Sequence, residues 1–105
     1  MSDPITVRDD RQGHRYRIAV DGAEAGFAAY RLQPGQVVFT HTVIDPAFEG
    51  RGLGGRLARA ALDDVAARGE QVVPLCPFIS AWIGRHPEYL DLVDEAHRDA
   101  VRPGP

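Results

Sequence analysis

The chain has 105 residues and a formal net charge of −3; its basic residues are all arginine, and it holds a single cysteine. That length fits one domain with one core, and the lone cysteine excludes an internal disulfide framework and a multi-cysteine metal centre, so no metal is expected. No apolar run nears the about 20 residues of a membrane-spanning helix, Met1-Ser2-Asp3-Pro4 lacks the basic flank and apolar stretch of a signal peptide, and mild acidity argues against nucleic-acid binding.

In chain order, Ile5-Thr6-Val7 reads as a short strand, closed by the polar turn Asp9-Asp10-Arg11-Gln12-Gly13. His14 to Val20 alternates, with Tyr16, Ile18 and Val20 against Arg15 and Arg17, the pattern of a half-buried strand. Asp21-Gly22 is a turn signal, and Gly26 to Leu32 is a third strand. Gln33-Pro34-Gly35-Gln36 is a second turn, since proline fixes φ and glycine accepts φ > 0. Val37 to Ile44, rich in β-branched and aromatic residues, is a fourth strand. The short connections make these four an antiparallel meander. Asp45 to Glu49 breaks the strand, and Gly50-Arg51-Gly52-Leu53-Gly54-Gly55 follows. Arg56 to Arg68 is a helix with Leu57, Ala61, Leu62 and Val65 on one face and Gly69 as its stop. Gln71 to Leu75 is a fifth strand, made parallel to the fourth by a right-handed helical crossover. Pro74 and Pro77 end it irregularly. Phe78 to Gly84 is a short helix, Asp91 to Ala100 a terminal one, and Arg102-Pro103-Gly104-Pro105 a flexible tail. The expectation is an α+β domain with a mixed sheet over residues 1–101 and a tail over 102–105.

The glycine-rich turn carries the chemistry. Glycines let backbone N–H groups approach a ligand, and a helix start leaves such groups unpaired at the positive end of the dipole. Residues 50–59 hold Arg51, Arg56 and Arg59 with no acid, a local +3 in a chain of −3. Helix starts ordinarily favour acids, so these arginines point to an anion. A dinucleotide fold shares the string Gly50, Gly52, Gly55, but Asp45 to Glu49 separate strand from turn and no acid ends the next strand. A nucleotide-triphosphate P-loop needs a lysine that the chain lacks.

Val37 to Ile44, then Glu49-Gly50-Arg51-Gly52-Leu53-Gly54, then the helix to Gly69 resemble the central motif of the GNAT acyltransferase superfamily. His41-Thr42, Pro74-Leu75-Cys76-Pro77 and Arg85-His86-Pro87-Glu88-Tyr89 add a resemblance to minimal single-domain members of that superfamily. One departure is Glu49, where the family pattern has glutamine or arginine. The resemblance implies acetyl-coenzyme A or coenzyme A as cofactor, with its pyrophosphate on the backbone of Arg51, Gly52, Leu53, Gly54, Gly55 and Arg56. It also implies that the fifth strand splays from the fourth. The pantetheine arm would then run along Thr42, Val43 and Ile44, with the thioester near Cys76.

Acyl transfer to an amine needs a group that takes the amine proton, a stabilised thioester oxygen and a departing thiolate. Cys76 is a candidate nucleophile or proton donor ahead of a helix start, although free cysteines are also among the most buried residue types. His41 is a candidate base; strict alternation sets it opposite in facing to Thr40 and Thr42, and with Cys76 it would form a Cys/His pair on adjacent strands. Tyr89 is a weaker acid candidate, while Trp82 and Phe78 read as core or pocket lining. The expected function is acetyl transfer from acetyl-coenzyme A to a small amine or protein amine. The alternative is a coenzyme-A-binding module with little catalysis. Outside residues 50–59 fifteen acids face nine arginines, a balance that would draw a cationic acceptor. Expected partners include no nucleic acid and no membrane, and the expected state is a monomer or weak dimer in the cytoplasm.

Overall fold

Strand-forming residues fill the first half of the chain, and the computed structural model, which describes residues 4–101, arranges them as one five-stranded sheet. Strands β1 (Ile5–Asp10), β2 (Arg15–Val20), β3 (Ala23–Gln33) and β4 (Gln36–Ile44) form the antiparallel meander. Helix α1 (Leu53–Ala67) crosses over to β5 (Gln71–Pro74), which pairs in parallel with β4 from Gln36↔Gln71 to Phe39↔Pro74. Helix α2 (Pro77–Arg85) follows, and the sheet order is β1-β2-β3-β4-β5.

The period-3.6 face of α1, Leu53, Leu57, Ala58, Ala61, Leu62 and Val65, is buried. It packs in one core with Tyr16, Ile18, Ala28, Tyr30, Phe39 and Val72 of the sheet and Ile79, Trp82 and Ile83 of α2. Phe39, fully buried, is among the largest side chains of this core. Tyr16 and Tyr30 are buried aromatics with polar tips, and each finds a carboxylate: Tyr16 donates to Asp64 at 2.7 Å and Tyr30 to Asp9 at 2.5 Å. Burial first, and then these bonds, raise both phenols above their ordinary range.

One expectation fails at the C-terminal end. Asp91 to Ala100 is not a helix. A 3-10 segment runs over Pro87–Leu92, a second over Glu95–His97, and a single-turn helix α3 over Arg98–Val101. Between the two 3-10 segments, Val93 bridges Val72 in parallel and the Asp94 N–H donates to the Val72 carbonyl at 3.0 Å. Burying Val93 at the outer edge of β5 outweighs helix propensity, which is low for Asp and His. The tail 102–105 lies outside the described residues.

Strand β4 holds a β-bulge. Tyr30 faces Phe39 but Ala29 faces His41, so Thr40 is an extra residue. Phe39 and Thr42 thereby both turn toward the helices, Thr42 opposite the core residue Ala28. His41 and Val43 turn to the other face, beside Ala29 and Phe27. That face also carries Arg15 and Arg17, registered opposite Ala29 and Phe27.

Candidate active site

Asp45 ends β4 by accepting the Ala47 N–H at 2.9 Å, which starts a 3-10 turn over Pro46–Phe48. Gly50 and Gly52 then take φ of +81° and +72°, conformations that an L side chain adopts only under strain. Gly52 is the N-cap of α1, which begins at Leu53, three residues before the expected Arg56. The first α-helical bond runs from the Arg56 N–H to the Gly52 carbonyl at 3.2 Å. The N–H groups of Leu53, Gly54 and Gly55 thus have no acceptor within the helix. No side chain caps Gly52, and no acid lies in the first turn. These features fit a bound phosphate: unneutralised donors, a positive dipole end, and open space where a Cβ on Gly50 or Gly52 would stand.

Gly54 and Gly55 have a packing reason as well. A Cβ on Gly54 would meet the Phe78 ring at 2.7 Å, and one on Gly55 would lie 3.4 Å from Trp82 Nε1. Glycine here lets α2 close over the first turn of α1. Between them lies a cavity of about 380 Å³, lined among others by Ile44, Phe48, Gly52, Phe78 and Arg85. Arg51 lies over Phe48, its Cζ 5.5 Å from the ring centroid, while Arg85 reaches the same cavity from α2. A second, larger cavity, of about 590 Å³, shares Gly52, Gly55, Trp82 and His86 and adds Arg56 and Arg59.

The sheet opens where this groove meets it. Pairing between β4 and β5 stops at Phe39, whose carbonyl accepts from the Cys76 N–H at 2.9 Å. Leu75 leaves the ladder because its N–H turns back to Val73 at 3.1 Å. Pro74 is not the cause. Gln71 bonds toward β4 and Val72 toward Asp94, so alternation aims the Pro74 nitrogen at the outer edge, away from β4. Beyond Phe39, the edge of Thr40 to Ile44 that faces away from β3 has no strand beside it among the described residues.

Cys76 stands at the closed end of this gap as the N-cap of α2, 1% exposed, with Sγ 3.3 Å from Thr42 Oγ1. The structure brings Cys76 to Thr42, not to His41. The bulge at Thr40 sends His41 to the opposite face, where its ring packs edge-on against Phe27 at 5.6 Å. The expected Cys/His pair is therefore not assembled. His41 gains a different partner. Thr40 Oγ1 donates to the Ala29 carbonyl at 3.3 Å and lies 3.5 Å from His41 Nδ1.

The GCN5-related N-acetyl-transferase family matches residues 15–92. The chain belongs to this family. It is 29% identical over 92 residues to Protein NATD1 of Mus musculus, covering 84% of each chain, and 28% identical to its Homo sapiens counterpart. A mycothiol acetyltransferase of Thermobispora bispora is 45% identical over 51 residues, which are 49% of this chain and 17% of that one. Among solved structures, a GCN5-like protein of Staphylococcus aureus superposes with a TM-score of 0.67 at 15% identity, covering 89% of this chain and 91% of that chain. The ribosomal-protein-S18-alanine N-acetyltransferase of Escherichia coli gives 0.54 at 17% identity over 70% of this chain and 43% of that one. At such identities these two likenesses speak to the fold.

For this GCN5-related N-acetyltransferase, the expected mixed sheet, parallel β4–β5 pair and splay are all present. Thr42 and Ile44 lie on the helix side of the gap, and Val43, 43% exposed, on the other. Arg51, Gly52, Leu53, Gly54, Gly55 and Arg56 form the turn and first helical turn, Leu53 burying its side chain and offering only backbone. Arg85 and His86, which the sequence places in the resemblance but not among the expected cofactor-binding residues, line the groove. Their signal was the basic end of a short helix directly before Pro87. His86 stacks on Trp82 at 3.8 Å, while its Nδ1 lies 2.8 Å from the Trp82 carbonyl. Tyr89 does not address the gap. Its hydroxyl donates to Asp63 at 2.7 Å and accepts from Arg59 at 3.1 Å, fastening the C-terminal segment to α1. Burial, then the bond to Asp63, raises its phenol above the ordinary value of 10.0.

Proposed function

We propose that this N-acetyltransferase moves an acetyl group from acetyl-coenzyme A to an amine. The observation that carries this reading is the uncapped, acid-free first turn of α1, set beside arginines at the mouth of a groove that leads to a gap in the sheet. The donors of Leu53, Gly54 and Gly55, with Arg51 and Arg85, suit a pyrophosphate. The unpaired edge of Thr40 to Ile44 suits the amides of a pantetheine arm.

Bound in that way, the thioester supplies an activated acetyl carbonyl at the gap. His41 takes the amine proton as the C–N bond forms and the C–S bond breaks. Cys76, hydrogen-bonded to Thr42, gives the departing thiolate its proton from the helix side. Direct transfer fits better than an acyl-Cys76 intermediate, because a thiol 1% exposed does not meet donor and acceptor in turn unless the segment opens.

Calorimetric titration with acetyl-coenzyme A, coenzyme A, NAD and ATP tests the donor. Binding of the first two alone is expected, and binding of NAD alone would refute the reading. Thiol release with a panel of amines tests the transfer. A coenzyme-A-binding module without turnover has one observation in its favour: His41 and Cys76 lie on opposite faces of the sheet. That second reading prevails if coenzyme A binds tightly and no amine releases thiol.

A further inference from the structure

The face of the sheet opposite the helices carries chemistry that the donor groove does not use. Next to the gap on that face is a cavity of about 320 Å³, with Arg15, Arg17 and Glu24 on one side, Val43 and Asp45 on the other, and Phe27 between. Its charges are unequally engaged. Arg17 is paired with Asp10 and Glu24, and Asp45 uses one oxygen to hold the Ala47 N–H. Arg15 has no carboxylate partner among the described residues. Its guanidinium lies 4.2 Å from the Phe27 ring centroid, and its Nε makes one long bond, 3.4 Å, to the Gly13 carbonyl. The same Phe27 ring receives His41 edge-on.

Strand register fixes the spacing. Arg15, Ala29 and His41 stand opposite one another on β2, β3 and β4. The Cα atoms of Arg15 and His41 are therefore two strand spacings apart, about 10 Å, with only the small Ala29 between. An aromatic-stacked guanidinium with spare donors is a carboxylate site. His41, which packs on the same Phe27 ring just beyond the cavity lining, is the base that an acceptor amine must reach. The acid surplus of the whole chain is not repeated here, since Glu24 is already matched by Arg17.

We propose that the acceptor is an amine that also bears a carboxylate, an amino-acid-like zwitterion held in this outer-face cavity. Its carboxylate lies on Arg15, its apolar body on Phe27, and its amine toward His41. This deepens the acetyl-transfer reading and rests on it. A thioester arriving from the helix side of the gap leaves the outer face as the direction of attack, and this cavity adjoins it.

The test compares 5-aminopentanoate with 5-aminopentanamide, which share the amine and the chain length and differ in the carboxylate. With acetyl-coenzyme A, the acid is expected to have a kcat/KM about tenfold or more above the amide, mainly through KM. Arg15→Ala should bring the two within about twofold of each other, Arg15→Glu should favour the amide, and Arg15→Lys should keep part of the preference. Equal use of both compounds by the unaltered protein, or a proportional loss for both in Arg15→Ala, would overturn the proposal. A binding arm separates this result from failure of acetyl transfer itself. Each compound is titrated into the protein alone while the Arg15 Nε and His41 ring resonances are followed by NMR. Shifts at both residues with the acid and not the amide support the site even if no thiol is released. Absence of an Arg15 shift with the acid overturns it.

Discussion

Strand β4 is two strands in one. Its first half, Gln36 to Phe39, lies between β3 and β5, and Val37, Val38 and Phe39 are buried there. Its second half, Thr40 to Ile44, pairs with β3 alone, and every residue is at least partly exposed. The first half is held by burial and two ladders. The second has given up one ladder and holds a bulge, two hydroxyls and a histidine. Stability and chemistry thus occupy adjacent stretches of a single strand, and substitutions in the two halves should affect different measurements.

The sharpest contrast comes from Phe39→Ala in the first half. Loss of a fully buried ring should cost about 3–5 kcal/mol in urea unfolding, close to the whole stability of a small domain. In the second half, Thr42→Val removes one hydrogen bond to Cys76 and should cost only about 0.5–1.5 kcal/mol. If the two substitutions destabilise equally, the division of β4 is wrong. His41→Ala should lower kcat/KM by about a hundredfold or more with an unfolding midpoint near that of the unaltered chain; unchanged turnover would remove His41 as the base. Cys76→Ser keeps a donor and should retain more activity than Cys76→Ala, by about tenfold. Equal rates for the two would assign Cys76 to packing alone. Gly52→Asp places an acid at the helix start and should weaken coenzyme A binding by about tenfold in calorimetry.

The smallest effect is a control remote from the gap. Tyr16 holds its phenol proton more tightly when folded than unfolded, through burial and the bond to Asp64. Its contribution is full below about pH 10, the ordinary tyrosine value, and falls as pH rises beyond it. Urea midpoints should therefore drop above about pH 10, and less steeply in Tyr16→Phe. Phe39 of the first half of β4 packs on the Tyr16 ring at 6.0 Å, but Thr42 of the second half does not, so a Thr42→Val chain should show the same alkaline slope as the unaltered one.

Period-2 and period-3.6 patterns sufficed for all five strands, the crossover helix and α2, because each of these elements buries one regular face. They failed where a tertiary contact overrode local pattern. Val93 is drawn to the β5 edge, which prevents the helix expected over Asp91 to Ala100. Gly54 and Gly55 let α2 lie against the first turn of α1, which begins at Leu53 and not at Arg56. The glycine-rich turn and its charge were legible because glycine at positive φ and the lack of acids at a helix start leave direct marks in sequence. The facing of His41 was not. Strict alternation from Phe39 places it under the helices beside Cys76, and the extra residue Thr40 reverses that. A bulge of this kind is visible only when both partner strands are in register, and Ala29 and Tyr30 on β3 hold half of the information.

The segment at Val93 and Asp94 has a consequence for how this protein behaves in a crowded solution. An open sheet offers two lateral borders to which another chain can add, a familiar route to aggregation. At one border, Val93 and Asp94 take up the hydrogen-bonding groups of Val72. At the other, β1 carries Arg8, Asp9 and Asp10 within six residues, a charged margin that discourages a visiting strand. The edge of Thr40 to Ile44 that faces away from β3 lies inside the sheet order, on the side of β5, and is short. Under the proposed acetyl transfer, backbone that elsewhere would be a liability stands where a small molecule could satisfy it.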